Sequence, residues 1–164
     1  MTFEEFVADH GQSLLRLAFV LSGDRQLAED LTQTALADAY RHWRKVAAAR
    51  HPEAYVRRIL INAHLSWRRH RWTTERTAEP DQVAGAFLVD PSDAIVAREH
   101  ARSMLAGLAP RARTVLVLRY YADLDDAAIA EAMRVSVSSV RATASRALAS
   151  LRGTAALNRA EEIR

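Results

Sequence analysis

The 164-residue chain has no cysteine, which excludes disulfides and thiolate metal ligands and points to a reducing, cytoplasmic setting. It also lacks any apolar run near the roughly 18 residues of a membrane span. Its opening, MTFEEFVADHG, is acidic where a signal peptide is basic, so no direct membrane insertion is expected. Glycine is scarce: five residues, scattered at expected turns, with no Gly-x-x-x-x-Gly-Lys loop and no Gly-x-Ser-x-Gly elbow. The six histidines (His10, His42, His51, His64, His70, His100) form neither His-x-x-x-His nor His-Glu-x-x-His, which argues against zinc. His64 and His70 are read as groove or solvent residues. Period-two alternation is absent throughout, so no strand is expected. No catalytic residue, metal ligand or cofactor is assigned, and an enzyme has no site to build on.

What is present is a globular composition, 49% hydrophobic and 26% charged. The net charge of +3 conceals a segregation. Between Arg41 and Arg76 ten basic residues stand against Glu53 and Glu75, a net of +8, and the rest of the chain nets −5. Charge gathered this way suggests a polyanion for one segment and other partners elsewhere.

The hydrophobic spacing predicts helices almost everywhere. Phe3, Phe6, Val7, Leu14, Leu17, Ala18 and Leu21 repeat at three- and four-residue steps, with Gly11 as a candidate break. A second helix starts at Gly23 or Asp24 and is expected to run through Trp43. It carries Leu27, Leu31, Ala35 and Ala39 on one inward line and Leu36, Tyr40 and Trp43 on the next. Its outer face holds Glu29, Asp30, Gln33 and Asp38, either a solvated face or a docking surface. Arg44 to His51 reads as a basic loop. Pro52 opens a helix to about Trp72, in which Ala54, Tyr55, Ile59, Leu60, Ala63, Leu65 and Trp67 interleave with arginines. Aromatics among arginines suit phosphate tracking and stacking on unpaired bases; a solvated basic helix is the plainer reading. Residues 73–92 read as a linker with Pro80, Gly85 and Pro91. A helix from Ser92 or Asp93 to about Gly107 succeeds it. Then comes one opened by Pro110, whose Val115, Leu116, Val117, Leu118, Tyr120 and Tyr121 should form a buried pillar.

The stretch DLDDAAIAEAMRVSVSSVRATASRALASL, Asp123 to Leu151, predicts two helices joined by a tight turn. Asp125 caps the first, where Ile129, Ala130 and Met133 make an apolar stripe; Ser136 caps the second. Val140, Ala144, Ala147, Leu148 and Leu151 line one side of that second helix, and Ser138, Ala142, Ser145 and Ala149 the other, flanked by Arg141 and Arg146. The pattern fits a helix-turn-helix entering a major groove, or an ordinary helical hairpin with a basic face. Arg152-Gly153 is expected to end it, leaving 153–164 as a frayed tail.

Three blocks, AEDLTQTALADAYRHW (28–43), PEAYVRRILINAHLSWRRHRW (52–72) and LAPRARTVLVLRYYADLDDAAIAEAMRVSVSSVRATASRALASLR (108–152), in this order and spacing, closely resemble bacterial sigma factors of the extracytoplasmic-function group. The ending NAHLSWRRHRW is similar to a sigma-E-like actinobacterial subgroup. The resemblance implies an all-α protein of two small helical domains joined by a flexible linker: sigma region 2 over 1–72, linker 73–92, region 4 over 93–152 and a tail. It implies an alternative sigma factor that binds core RNA polymerase and promoter DNA, with an anti-sigma protein as a further family partner. Glu29, Asp30, Gln33 and Asp38 would dock on the polymerase. Arg44, Lys45, Arg50, Tyr55, Arg57, Arg58, Asn62, Arg68 and Arg69 would bind the minus-ten element and its melted strand. Ser138, Ser139, Arg141, Thr143, Ser145 and Arg146 would read the minus-thirty-five duplex. The chain departs from the family at Thr34 and Ser66, where carboxylates are common. It also departs at Arg134, where glycine is common, and at Ala142 and Thr143, where larger polar residues are frequent. A stand-alone repressor or activator using the same helix-turn-helix, or an RNA-binding adaptor using the basic helix, are the rival readings. The first leaves the acidic face at Glu29 to Asp38 and the basic Pro52 helix without a role, and the second leaves the C-terminal helix pair unexplained.

Overall fold

A computed structural model describes residues 1–74 and 102–162. The chain divides into two units, 1–85 and 86–164, and among the described residues there is no strand.

The first unit opens with α1 (Phe3–Ser22), started by a reciprocal cap. Thr2 Oγ1 accepts from the Glu5 N–H at 3.2 Å, and Glu5 Oε2 accepts from the Thr2 N–H at 2.7 Å. The helix is continuous through Gly11, contrary to the expected break; a Cβ there would meet only Val7, at 3.6 Å. It ends at Gly23, whose left-handed φ of 69° closes the last turn, its N–H donating to Phe19 O. Asp24 then caps α2 (Arg25–Arg41) by accepting from the Leu27 N–H at 2.7 Å. Ala28, Leu31, Thr32, Ala35 and Ala39 are its buried residues. Leu31, Ala35 and Ala39 of the first expected line are buried, whereas Leu27 and the adjacent line's Leu36 and Trp43 are only half-buried and Tyr40 is left 62% exposed.

Beyond α2 the structure departs from expectation twice. The second helix stops at Arg41 rather than running through Trp43, and the expected basic loop begins with a further helical turn, α3 (Trp43–Ala47), anchored by fully buried Val46. Pro52 begins α4 (Pro52–Thr74), two residues longer than expected. Its inward residues are Val56, Leu60, Ile61, His64 and Leu65. Ala54 is exposed, and Tyr55, Ile59, Ala63 and Trp67 are only half-buried. His64, expected in a groove or solvent, is fully buried, because it continues the four-residue step from Val56 and Leu60. Phe6, Leu14, Leu17, Leu21, Val46, Val56 and Leu60 complete a core without solvent exposure, each large side chain contributing about 1.5–3 kcal/mol of burial free energy. Phe6 lies 5.3 Å from the Trp43 ring and 4.8 Å from His10.

In the second unit, residues 102–106 are helical. The start of that helix, and the linker reading from 75 to 92, lie outside the described residues. Then α5 (Pro110–Leu116) passes into a π turn, Val117–Tyr121. The Ala122 N–H donates to Val117 O and the Leu124 N–H to Leu118 O, both at 3.0 Å. Val115, Leu116, Val117 and Leu118 are buried as expected, but the widened turn changes phase and puts Tyr120 and Tyr121 at the surface, 59% and 40% exposed. Next comes α6 (Asp126–Met133), capped by Asp125, which accepts from the Ala128 N–H at 2.8 Å. Arg134 closes it at φ 55°, a left-handed turn without glycine, and the Val135 N–H donates back to Ala130 O. Ser136 accepts from the Ser139 N–H at 3.1 Å and starts α7 (Val137–Glu162). Ile129, Ala130, Val140, Ala144 and Ala147 bury against the pillar; Met133, Leu148 and Leu151 are half-buried. The final helix does not end at Arg152-Gly153. Gly153 stays helical, since one glycine costs only about 1 kcal/mol against the alanine, leucine and arginine around it.

Candidate nucleic-acid interfaces

Three surfaces carry the residues singled out in the sequence. On the outside of α2, Asp30 and Gln33 are exposed and Glu29 and Asp38 partly so. Each acid is held by a neighbour on its own helix: Arg25 Nε to Glu29 Oε1 at 3.2 Å, Gln26 Nε2 to Asp30 Oδ1 at 3.1 Å, Arg41 Nη2 to Asp38 Oδ1 at 3.1 Å. Such exposed i,i+3 and i,i+4 pairs contribute about 0.3–0.5 kcal/mol, so they yield readily to a partner. Beside them Phe3, Val7, Ala8, Leu36, Ala37 and Tyr40 line an apolar groove, with Tyr40 packed edge-on to Phe3 at 5.0 Å. Sequence reasoning missed this groove by turning Leu36 and Tyr40 inward. The signal was the alanine row at 28, 35 and 39, which marks where the helices touch.

The second surface belongs to α3 and α4. Arg44, Lys45, Arg50, Arg58 and Asn62 are exposed; Tyr55, Arg57, Arg68 and Arg69 are half-buried. Helical spacing separates the α4 set. Tyr55, Arg58, Asn62 and Arg69 share one stripe, whereas Arg57 and Arg68, eleven residues apart, occupy another. Arg57 Nη2 pairs with Glu53 at 2.9 Å. The guanidinium groups of Arg68 and Arg71 lie 5.9 and 5.2 Å from the Trp67 ring, so one indole supports two cations.

The third surface is the exposed face of α7. Ser138, Arg141, Ala142, Ser145 and Ala149 are exposed along one stripe; Arg146 is exposed at its flank, and Ser139 and Thr143 are half-buried beside it. Two of these side chains are already engaged across the fold. Arg111 Nη2 donates to Ser139 Oγ at 3.2 Å, 28 residues away. Arg141 Nε donates to Asp126 Oδ2 at 3.3 Å, and the same oxygen accepts from Arg119 Nη2 at 3.0 Å. Asp126, Arg119 and Arg111 were not singled out in the sequence. A clue was present: Asp125 and Asp126 stand side by side at a helix start, where one carboxylate suffices for the cap.

Among the described residues no group of three or more His or carboxylate side chains is placed to hold a metal ion, and no helix is long and apolar enough to cross a membrane. The surfaces offer hydrogen-bonding acids on one helix, cations on two others with aromatic support on α4, and a slim polar helix face with one long cation at its centre.

Comparison with known proteins places each unit. Residues 6–74 match the family described as Sigma-70 region 2, and residues 98–151 match Sigma-70, region 4. A protein of Streptomyces avermitilis named RNA polymerase sigma-E factor is 37% identical over 152 residues, 93% of this chain and 84% of that relative. The protein of the same name from Streptomyces coelicolor is 36% identical, over 93% and 85% of the two chains. In fold, the chain is similar to the sigma factor RpoE of Bartonella quintana, solved in complex with the anti-sigma factor NepR. The TM-score is 0.58 at 19% identity, covering 92% of this chain and 94% of that one.

Proposed function

The chain belongs to the extracytoplasmic-function group of the sigma-70 family, and from that premise we propose how its surfaces divide the work of an alternative sigma factor. Glu29, Asp30, Gln33 and Asp38 dock on core RNA polymerase, with the apolar groove of Phe3, Leu36 and Tyr40 as a neighbouring foothold. The α3–α4 surface takes the minus-ten element. Arg44, Lys45, Arg50 and Arg58 hold phosphates, and Tyr55 and Asn62 face bases that leave the stack. The α7 stripe reads the minus-thirty-five duplex through the major groove. Regions 1–72 and 93–152 carry these roles, joined through 73–92. An anti-sigma protein covering the α2 or α7 surface is the regulatory partner. The protein works in the cytoplasm and is not an enzyme; it supplies binding energy that positions polymerase and offsets the cost of strand opening.

The observation that carries this reading is that both family regions match in one chain, in order, with a charged surface on each. A stand-alone repressor would use only the α7 stripe. Run-off transcription with purified core polymerase on pooled promoter fragments tests the proposal: transcripts should appear only when the chain is added. Tight binding of the chain alone to a palindromic duplex, with no transcripts, would favour the repressor instead.

A further inference from the structure

We propose that Asp126, at the start of α6, is a positioning residue for the specificity of α7: it holds Arg141 by the inner guanidinium nitrogen so that the outer fork of that side chain reads a base pair. The inference rests on α7 being the duplex-reading helix.

Asp126 is not occupied by the start of its own helix, because Asp125 supplies the cap. Its side chain is only 16% exposed, while the Arg141 side chain is 70% exposed. One carboxylate oxygen, Oδ2, accepts from Arg119 Nη2 on one side and Arg141 Nε on the other, fifteen residues further on. Arg119 thus fixes the carboxylate, and the carboxylate fixes Arg141. Tethering at Nε uses one of the five guanidinium N–H donors and leaves the two terminal amino groups, the fork that matches O6 and N7 of guanine. A side chain already oriented loses less freedom on binding, so selectivity for the matching base rises.

The neighbours of Arg141 sharpen its importance. Ser138, Ala142, Ser145 and Ala149 are short, so Arg141 is the one long side chain in the stripe between Ser138 and Ala149. Asp126 also carries negative charge toward a surface that meets phosphates. It therefore opposes sequence-independent binding while favouring a directed contact. That opposition separates a positioning role from a merely structural one. Removing a structural anchor between α6 and α7 weakens binding to every sequence; removing the positioning carboxylate costs selectivity and leaves or strengthens generic binding.

The test uses core polymerase loaded with the full chain, bound to a promoter library randomised across the upstream element. Wild type, Arg141→Ala, Asp126→Asn, Asp126→Glu and the Asp126→Asn/Arg141→Ala pair are compared, with non-specific duplex as competitor. Arg141→Ala should abolish a base preference of about tenfold at one position. Asp126→Asn should flatten preference at that same position, add nothing in the double variant, and leave non-specific binding equal or tighter. Asp126→Glu, which keeps the charge and moves it by one methylene, should shift the preferred base rather than erase selection. Uniform weakening on all sequences by both Asp126 variants, or an effect at a position Arg141→Ala leaves alone, overturns the inference while α7 keeps its role. No change in preference with Arg141→Ala overturns the reading of α7 as well.

Discussion

The two units hold their surface arginines in different ways. In the first, Arg25, Arg41 and Arg57 pair with Glu29, Asp38 and Glu53 on their own helices. In the second, Arg111, Arg119 and Arg141 reach Ser139, Asp126 and Asp126 across helix boundaries. Pairs within one exposed helix are weak and exchange easily for phosphate. Contacts between helices are made only when the fold closes, and they set a side chain's direction. A surface that tracks a backbone and catches unpaired bases profits from reach. One that reads a closed duplex needs aim, because base edges lie at fixed places in the groove.

Breaking the cores gives the largest expected effects. The first unit is filled by large side chains, with Phe6, Leu14, Leu17, Leu21 and Leu60 fully buried. Phe6→Ala should therefore cost about 3–5 kcal/mol, the range for deleting a buried aromatic. In the second unit α7 is seated through Val140, Ala144 and Ala147, with Ala144 fully buried. Ala144→Leu should cost about 1–3 kcal/mol by overpacking and should push α7 off the pillar. Thermal denaturation monitored by circular dichroism reads both. If Ala144→Leu is neutral, α7 has room to shift on the pillar.

Binding separates the units next. Arg58→Ala should weaken promoter opening on every sequence, and deleting a cation that neutralises one phosphate should lower the salt slope by about one. Arg141→Ala should change which upstream element is chosen, a discrimination of about 1–3 kcal/mol. Titrating holoenzyme on matched and mismatched promoters at several salt concentrations distinguishes the two behaviours. A uniform loss with Arg141→Ala would make both surfaces simple phosphate binders.

Much of this organisation was legible in the sequence because caps and periodicity are local. Asp24, Asp125, Pro52 and Ser136 each announce a helix start, and Val140, Ala144 and Ala147 mark the buried side of α7. The run Val115-Leu116-Val117-Leu118 shows burial but carries no phase, so the π turn that swings Tyr120 and Tyr121 outward left no trace in it. The inward His64 was hidden by residue type: a histidine among arginines suggests solvent, and only the step from Val56 and Leu60 contradicts that. The Asp126–Arg141 contact depends on how two helices meet, which no local pattern encodes. The chemical classes of the three surfaces were therefore readable, and the aim of their side chains was not.

The smallest expected effect concerns one turn geometry built twice. Gly23 closes α1 at φ 69°, and Arg134 closes α6 at φ 55°. A left-handed residue with a Cβ costs about 1–2 kcal/mol. Glycine's greater freedom in the unfolded chain returns part of that, about 0.5–1 kcal/mol. Gly23→Ala should thus destabilise the first unit by about 1 kcal/mol, and Arg134→Gly should stabilise the second by about 0.5–1 kcal/mol. Arg134 is exposed, so its side chain contributes little packing. Melting curves of the two variants give the signs. If Arg134→Gly stabilises the fold yet flattens the salt dependence of duplex binding, the strained turn carries a cation for phosphate. If it destabilises, the Arg134 side chain itself holds the turn, and the two caps are alike only in their backbone.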